Sequence, residues 1–214
     1  MLIYVSCNFF SKTSSYPRLL KQSLSQRGFT LIELMVTIAL VAVLGTLAAP
    51  SFQQTIASSR LTTATNDLFT SLAQARSLAI KQGERVTVCK SEDGAACKAT
   101  TSVPWSVGWV TFVDGTRATD ASIDTGETVS YVIQAMDPAI VIRGNNAIQN
   151  YVSYSPDGLT KTMVGGFQIG KLQICSTSPA LSNDTRARLI TISISGRAVI
   201  SKPTGISAAC AAPI

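Results

Sequence analysis

Apolar positions fall along this chain in three successive patterns. From Leu34 to Ala49 the run LMVTIALVAVLGTLAA carries no charge, and the apolar character reaches back to Phe29. As helix, at about 1.5 Å per residue, the 29–49 stretch is about 31 Å long, roughly the thickness of bilayer hydrocarbon. Past Pro50, Leu61, Ala64, Leu68, Leu72, Ala75 and Ala79 step by three or four, while Arg60, Asn66, Asp67, Gln74, Arg76 and Lys81 fall largely elsewhere. That spacing predicts a long amphipathic helix, stopped at Gly83 and packed on its own sheet. From Arg85 onward, alternating β-branched and aromatic runs are punctuated by Gly, Pro, Asn and Asp. They predict strands over Arg85–Lys90, Gly108–Asp114, Thr128–Gln134, Ile140–Arg143, Tyr151–Ser155, Gly166–Ile169, Lys171–Cys175, Leu189–Ser195 and Ala198–Ser201. Pro156-Asp157-Gly158 and Ser195-Gly196-Arg197 read as turns. With no internal repeat, residues 51–214 are expected to form one α+β domain with antiparallel sheet.

Composition narrows the chemistry. Charged residues are only 14% of the 214, against about 25% in an ordinary soluble domain, and apolar residues reach 46%. There is no histidine, which removes the commonest general base and zinc ligand and every Ser-His or Cys-His pair. No catalytic constellation is evident, so the reading is non-enzymatic and without cofactor or metal. The net charge of +6 does not describe the whole chain, because Lys12, Arg18, Lys21 and Arg27 precede Gly28 with no acid among them. Without those cations the net charge of residues 29–214 is +2. By the positive-inside rule, residues 1–28 face the cytoplasm and everything past Pro50 lies outside.

A secretory signal peptide, with Thr46-Leu47-Ala48 as a tolerable cut, or a plain single-pass anchor accounts for much of this. Neither explains Glu33, a carboxylate just inside the apolar run that needs a partner there. The segment RGFTLIELMVTIAL, Arg27 to Leu40, resembles the class III signal of type IV pilins and pseudopilins. The resemblance implies cleavage by a prepilin peptidase between Gly28 and Phe29, N-methylation of Phe29, and a role for Glu33, fifth after the cut, in filament assembly. Pro50 stands where pilins commonly break their long helix. It also implies a leader over residues 1–28, long for the family, a transmembrane and filament-core helix over 29–50, and an extracytoplasmic pilin domain over 51–214. Physically, a carboxylate from one subunit can neutralise the new amine of another in low dielectric, where either charge alone is costly.

Further along, Ala75-Arg76-Ser77-Leu78-Ala79-Ile80-Lys81, Val86-Thr87-Val88-Cys89, Asp93-Gly94, Cys97 and Trp105 to Asp114 resemble the FimT/GspH family of minor pilins and pseudopilins. This likeness implies a type IV pilin-like α+β fold. It points to a structural subunit of a pilus-like filament, held in the bacterial inner membrane with its carboxy-terminal domain in the periplasm. Its partners would be the prepilin peptidase and other pilin or pseudopilin subunits. The cysteine-bearing form is more similar to the pilus-associated branch. The secretion-system H pseudopilin is the alternative, and a membrane-anchored periplasmic enzyme is the rival of another class.

Cleavage removes Cys7 and leaves Cys89, Cys97, Cys175 and Cys210, an even set that outside the membrane reads as two disulfides with three connectivities. The expected pairing is Cys89–Cys97, which closes a short loop bearing Asp93-Gly94, and Cys175–Cys210, which ties the tail to a strand. Without His or a CxxC, metal binding by these thiols is the weaker reading. Asp114, Asp120, Asp124 and Glu127 lack the ligand register of a calcium loop and read as a solvated stretch. Trp105 and Trp109 read as core anchors. Arg186, Arg188, Arg197 and Lys202 cluster around the last hairpin with Asp184 as the nearby acid. Some FimT-like proteins bind DNA through a GRxR motif in a carboxy-terminal loop. Gly196-Arg197-Ala198-Val199 keeps its Gly-Arg and has Val199 at the second arginine, so DNA binding by these cations is a further implication of the resemblance.

Overall fold

The computed structural model describes residues 28–116 and 120–214. The leader residues 1–27, with Cys7 and the cations Lys12, Arg18, Lys21 and Arg27, lie outside the described residues, as does Arg117. The chain separates into two units, Met1–Val43 and Leu44–Ile214.

In the first unit the helix α1 begins; it runs over Leu31–Gln82. Thr30 precedes it and accepts a hydrogen bond from the Glu33 backbone N–H on its hydroxyl, at 3.2 Å, so the start is side-chain capped. The apolar side chains from Phe29 to Val43 are exposed all round the helix. A helix apolar on every side has no water-facing surface and calls for lipid or protein around it. Among the described residues no single helix is long and apolar enough to cross a membrane; Leu31–Thr46 and Ala49–Gln82 pass that test only as a pair. Pro50, inside α1, brings no N–H to the helix ladder, and its ring crowds the turn before it.

In the second unit α1 behaves as its spacing predicts. Leu61, Ala64, Leu68, Leu72, Ala75 and Ala79 are all buried, while Arg60 and Gln74 are exposed. Gly83 ends the helix at φ +69, donating its N–H to Ala79 O at 3.0 Å in the left-handed conformation glycine adopts without penalty. Among the described residues two antiparallel four-stranded sheets follow. Their strands are β1 (Val86–Lys90), β2 (Trp109–Val113), β3 (Thr128–Ile133), β4 (Ile140–Gly144), β5 (Tyr151–Tyr154), β6 (Gly170–Ser176), β7 (Ala187–Ile192) and β8 (Ala198–Ser201). The first sheet has the order β3-β2-β1-β5 and the second β4-β6-β7-β8. One core joins them: the buried stripe of α1 meets Val86, Val88 and Trp109 of the first sheet and Ile142, Ile174 and Ile190 of the second.

Two expected strands change. Gly166–Ile169 is not a strand; only an isolated bridge pairs Phe167 with Lys161, and Phe167 and Ile169 stay exposed. Alternation there is not matched by anything that covers it. The strand expected over Leu189–Ser195 starts earlier, at Ala187, and stops at Ile192, because Gly196 N donates to Ser193 O and Ser193 N to Arg197 O, closing the turn.

Candidate functional site

The amino-terminal group is simple in geometry. Gly28, Phe29 and Glu33 are all exposed, Phe29 to 80%. Glu33 falls in the first helical turn, where the unsatisfied N–H groups make the helix end partly positive and favour a carboxylate. Thr30 and Glu33 have the spacing of a capping box, a signal the sequence carries as Thr30-Leu31-Ile32-Glu33. Glu33 therefore has a local role at the helix end, and its carboxylate is exposed there.

The cysteines close two loops. Cys89 is bonded to Cys97 and Cys175 to Cys210, each with Cα atoms 5.6 Å apart. The second bond holds the tail against the outward face of β6, where side chains alternate with the core-facing Leu172 and Ile174. From the same face Gln173 Nε2 donates to Ala211 O at 2.8 Å and Lys171 Nζ to Ile214 O at 2.9 Å.

The four carboxy-terminal cations do not share one surface. Arg186, expected among them, is buried, 5% exposed, and its guanidinium donates to the carbonyl oxygens of Ser176, Ser178 and Leu181 and to Asn183 Oδ1. It is spent on carbonyls at the end of β6 and in the loop that follows, which its buried guanidinium holds together. Arg188 is half-buried and donates to Thr185 O and Ala187 O. Arg197 and Lys202 are exposed at the two ends of β8.

Trp105 and Trp109 are fully buried, with indole N–H groups donating to Gln149 O and Ser71 Oγ, both at 2.9 Å. Asp114 is also buried and accepts from Thr87 Oγ1 at 2.9 Å; desolvation pushes its carboxyl up, against the pull of that hydrogen bond. Glu127 accepts from the N–H groups of Gly115, Thr116 and Asp124, so this acid closes its own loop. Asp120 is exposed.

Two polar residues escaped sequence reading. Lys90, at the end of an apolar strand, is fully buried and donates to Thr100 O, Val103 O and Asn150 Oδ1 at 2.6, 2.8 and 2.9 Å. Burial, with Arg143 nearby, lowers its pKa from 10.5 to about 8. Arg76 leaves α1 to donate from Nε to Gly158 O and from Nη2 to Ser195 O, joining two turns far apart in sequence. The acceptors are mostly main-chain carbonyls, which every residue has, so spacing carries no signal for them.

Parts of the chain are similar to known proteins. The model of the prokaryotic N-terminal methylation motif matches residues 23–49. Two curated relatives, each described as a fimbrial protein of Pseudomonas aeruginosa, are 36% identical over 62 residues, 29% of this chain. The chain spans 40% of their length. Among solved structures it is similar to the type IV minor pilin FimU of Pseudomonas aeruginosa, at TM-score 0.44 and 17% identity over 69% of this chain and 90% of that one. It is also similar to the minor pseudopilin EpsH from the Type 2 Secretion System of Vibrio cholerae, at TM-score 0.42 and 12% identity over 67% of this chain and 98% of that one. The model described as type II transport protein GspH matches residues 64–196, more than half of the chain, and this protein belongs to that family.

Proposed function

We propose that this chain is a minor pilin, a structural, non-enzymatic subunit of a type IV pilus-like filament. The observation that carries the reading is the amino-terminal half of α1: apolar side chains exposed on every side, with one carboxylate, Glu33, in the capped first turn. Such a surface has no use in a free soluble domain and fits a helix stored in the membrane and then packed among like helices. Residues 1–28 act as a leader removed by a prepilin peptidase, residues 29–50 as anchor and filament core, and residues 51–214 as the periplasmic domain. A pseudopilin of protein secretion is the second reading, favoured by the description of the matched family as type II transport. The test is to shear surface filaments from cells expressing the full chain and identify their subunits by mass spectrometry. Recovery of the chain with pilus subunits supports the first reading, recovery with secretion-system subunits the second, and its absence from any filament fraction sinks both.

A further inference from the structure

A cavity of about 360 Å³ lies between the flank of α1 and the turn joining β7 to β8. Phe69 and Ile80 of α1 and Ala198 of β8 give it apolar walls, and no acid lines it. Arg76 and Arg197 supply its charge, and neither forms an ion pair among the described residues. Arg76 uses Nε and Nη2 on the two turn carbonyls, which leaves Nη1 without a partner there; the exposed Arg197 guanidinium has none either. Tyr154 completes the wall, fully buried, with a hydroxyl that finds no hydrogen-bond partner. The turn is also closely packed: a Cβ on Gly196, at φ +73, would stand 2.0 Å from Gly158 O.

We propose that this cavity is a docking pocket for an acidic side chain flanked by apolar residues, carried by a neighbouring filament subunit; the proposal rests on the structural-subunit reading above. Charge complementarity selects the acid, since two arginines converge on a recess that holds no anion of its own. The walls select what flanks it. A Glu or Asp beside Leu or Phe satisfies both the guanidinium groups and the apolar surface, and such a buried anchor is where interface energy concentrates. Nucleic acid is disfavoured because a row of phosphates would meet Phe69 and Ile80 with nothing apolar to offer.

The test uses the full chain in cells that assemble the filament, with a photo-crosslinking residue as probe. Ile80→p-benzoylphenylalanine places it at the cavity, and Val36→p-benzoylphenylalanine, in a separate strain, places it on the apolar half of α1. The Ile80 probe is expected to join a neighbouring subunit at a peptide with an acid next to an apolar residue. Arg197→Glu should cut that adduct at least tenfold and Arg197→Lys should keep most of it. Reversing the mapped acid to Arg should restore it in the Arg197→Glu chain, whose folding is checked by its intact disulfides. Loss of the Ile80 adduct alone, with Val36 adducts normal, overturns the pocket and leaves the subunit reading standing. Loss of both overturns the subunit reading and the pocket with it. A nuclease-sensitive Ile80 adduct would assign the cavity to DNA, and an adduct indifferent to Arg197→Glu would overturn recognition by charge.

Discussion

The Thr30 hydroxyl accepts the Glu33 backbone N–H at 3.2 Å, so the residue that caps α1 and the carboxylate in its first turn are one local unit. The N-terminus of a helix is partly positive, and an acid there is stabilised by roughly 0.3–1 kcal/mol even without a partner. A second subunit's amine would add to this rather than replace it. The two contributions separate by substitution.

Glu33→Gln keeps the side chain's size and hydrogen-bonding reach and removes the charge. It should leave membrane insertion unchanged and reduce filament incorporation strongly, by about tenfold or more if the pairing charge is worth about 1.4 kcal/mol or more. Thr30→Ala should weaken only the cap, by about 1 kcal/mol, and leave incorporation near normal. Fractionation followed by quantification in sheared filaments reads both. Equal incorporation of Glu33→Gln and the parent chain would remove the intersubunit role.

Processing is read by intact mass. In cells with an active prepilin peptidase the chain should begin at Phe29 with a methylated amine, and in peptidase-deficient cells it should retain residues 1–28. Gly28→Val should block the cut, because the peptide before the scissile bond then carries a branched side chain where the parent has none. A mature terminus near Ser51 instead would mean that a secretory signal peptidase handles the chain.

Lys90 makes stability depend on pH in a definite direction. Folded Lys90 loses its proton near pH 8 and an unfolded lysine near 10.5, so between these values the unfolded chain binds more protons. Stability should therefore rise with pH through that window, as the cost of burying the charge is relieved. Lys90→Met removes the titration, and the difference in urea midpoint between the two chains should drift with pH only between about 8 and 10.5. A constant difference would show that Lys90 titrates normally.

The helix and most strands were legible because each is written in one continuous segment. Leu61, Leu68 and Leu72 report a single face whatever the partner, and Val86 to Lys90 has the β-branched character of a covered strand. Gly166–Ile169 has the same character, yet no neighbouring element covers Phe167 or Ile169, and coverage is a property of the whole fold. The division of the strands into two sheets was equally invisible, since alternation says which residues face inward but not which strand lies alongside. The burial of Arg186 is hidden from the sequence for a third reason. Its neighbours in sequence are polar and suggest a surface, while the carbonyls of Ser176, Ser178 and Leu181 that draw it inward leave no mark in the side-chain pattern.

The two disulfides should differ in worth. Cys89 and Cys97 close a separation of 8 residues and Cys175 and Cys210 one of 35, which by loop-closure entropy correspond to about 2.5 and about 4 kcal/mol. The loss for Cys175→Ala with Cys210→Ala should therefore be about 4 kcal/mol, against about 2.5 kcal/mol for Cys89→Ala with Cys97→Ala. The tail retains Gln173 and Lys171 as fastenings, so the Cys175/Cys210 chain should keep its near-UV signal and lose protection mainly after Ile206. Hydrogen exchange on the full chain in detergent separates these effects: loss of protection across β6 and β7 as well would mean that the bond holds the sheet itself, and not only the tail laid across it.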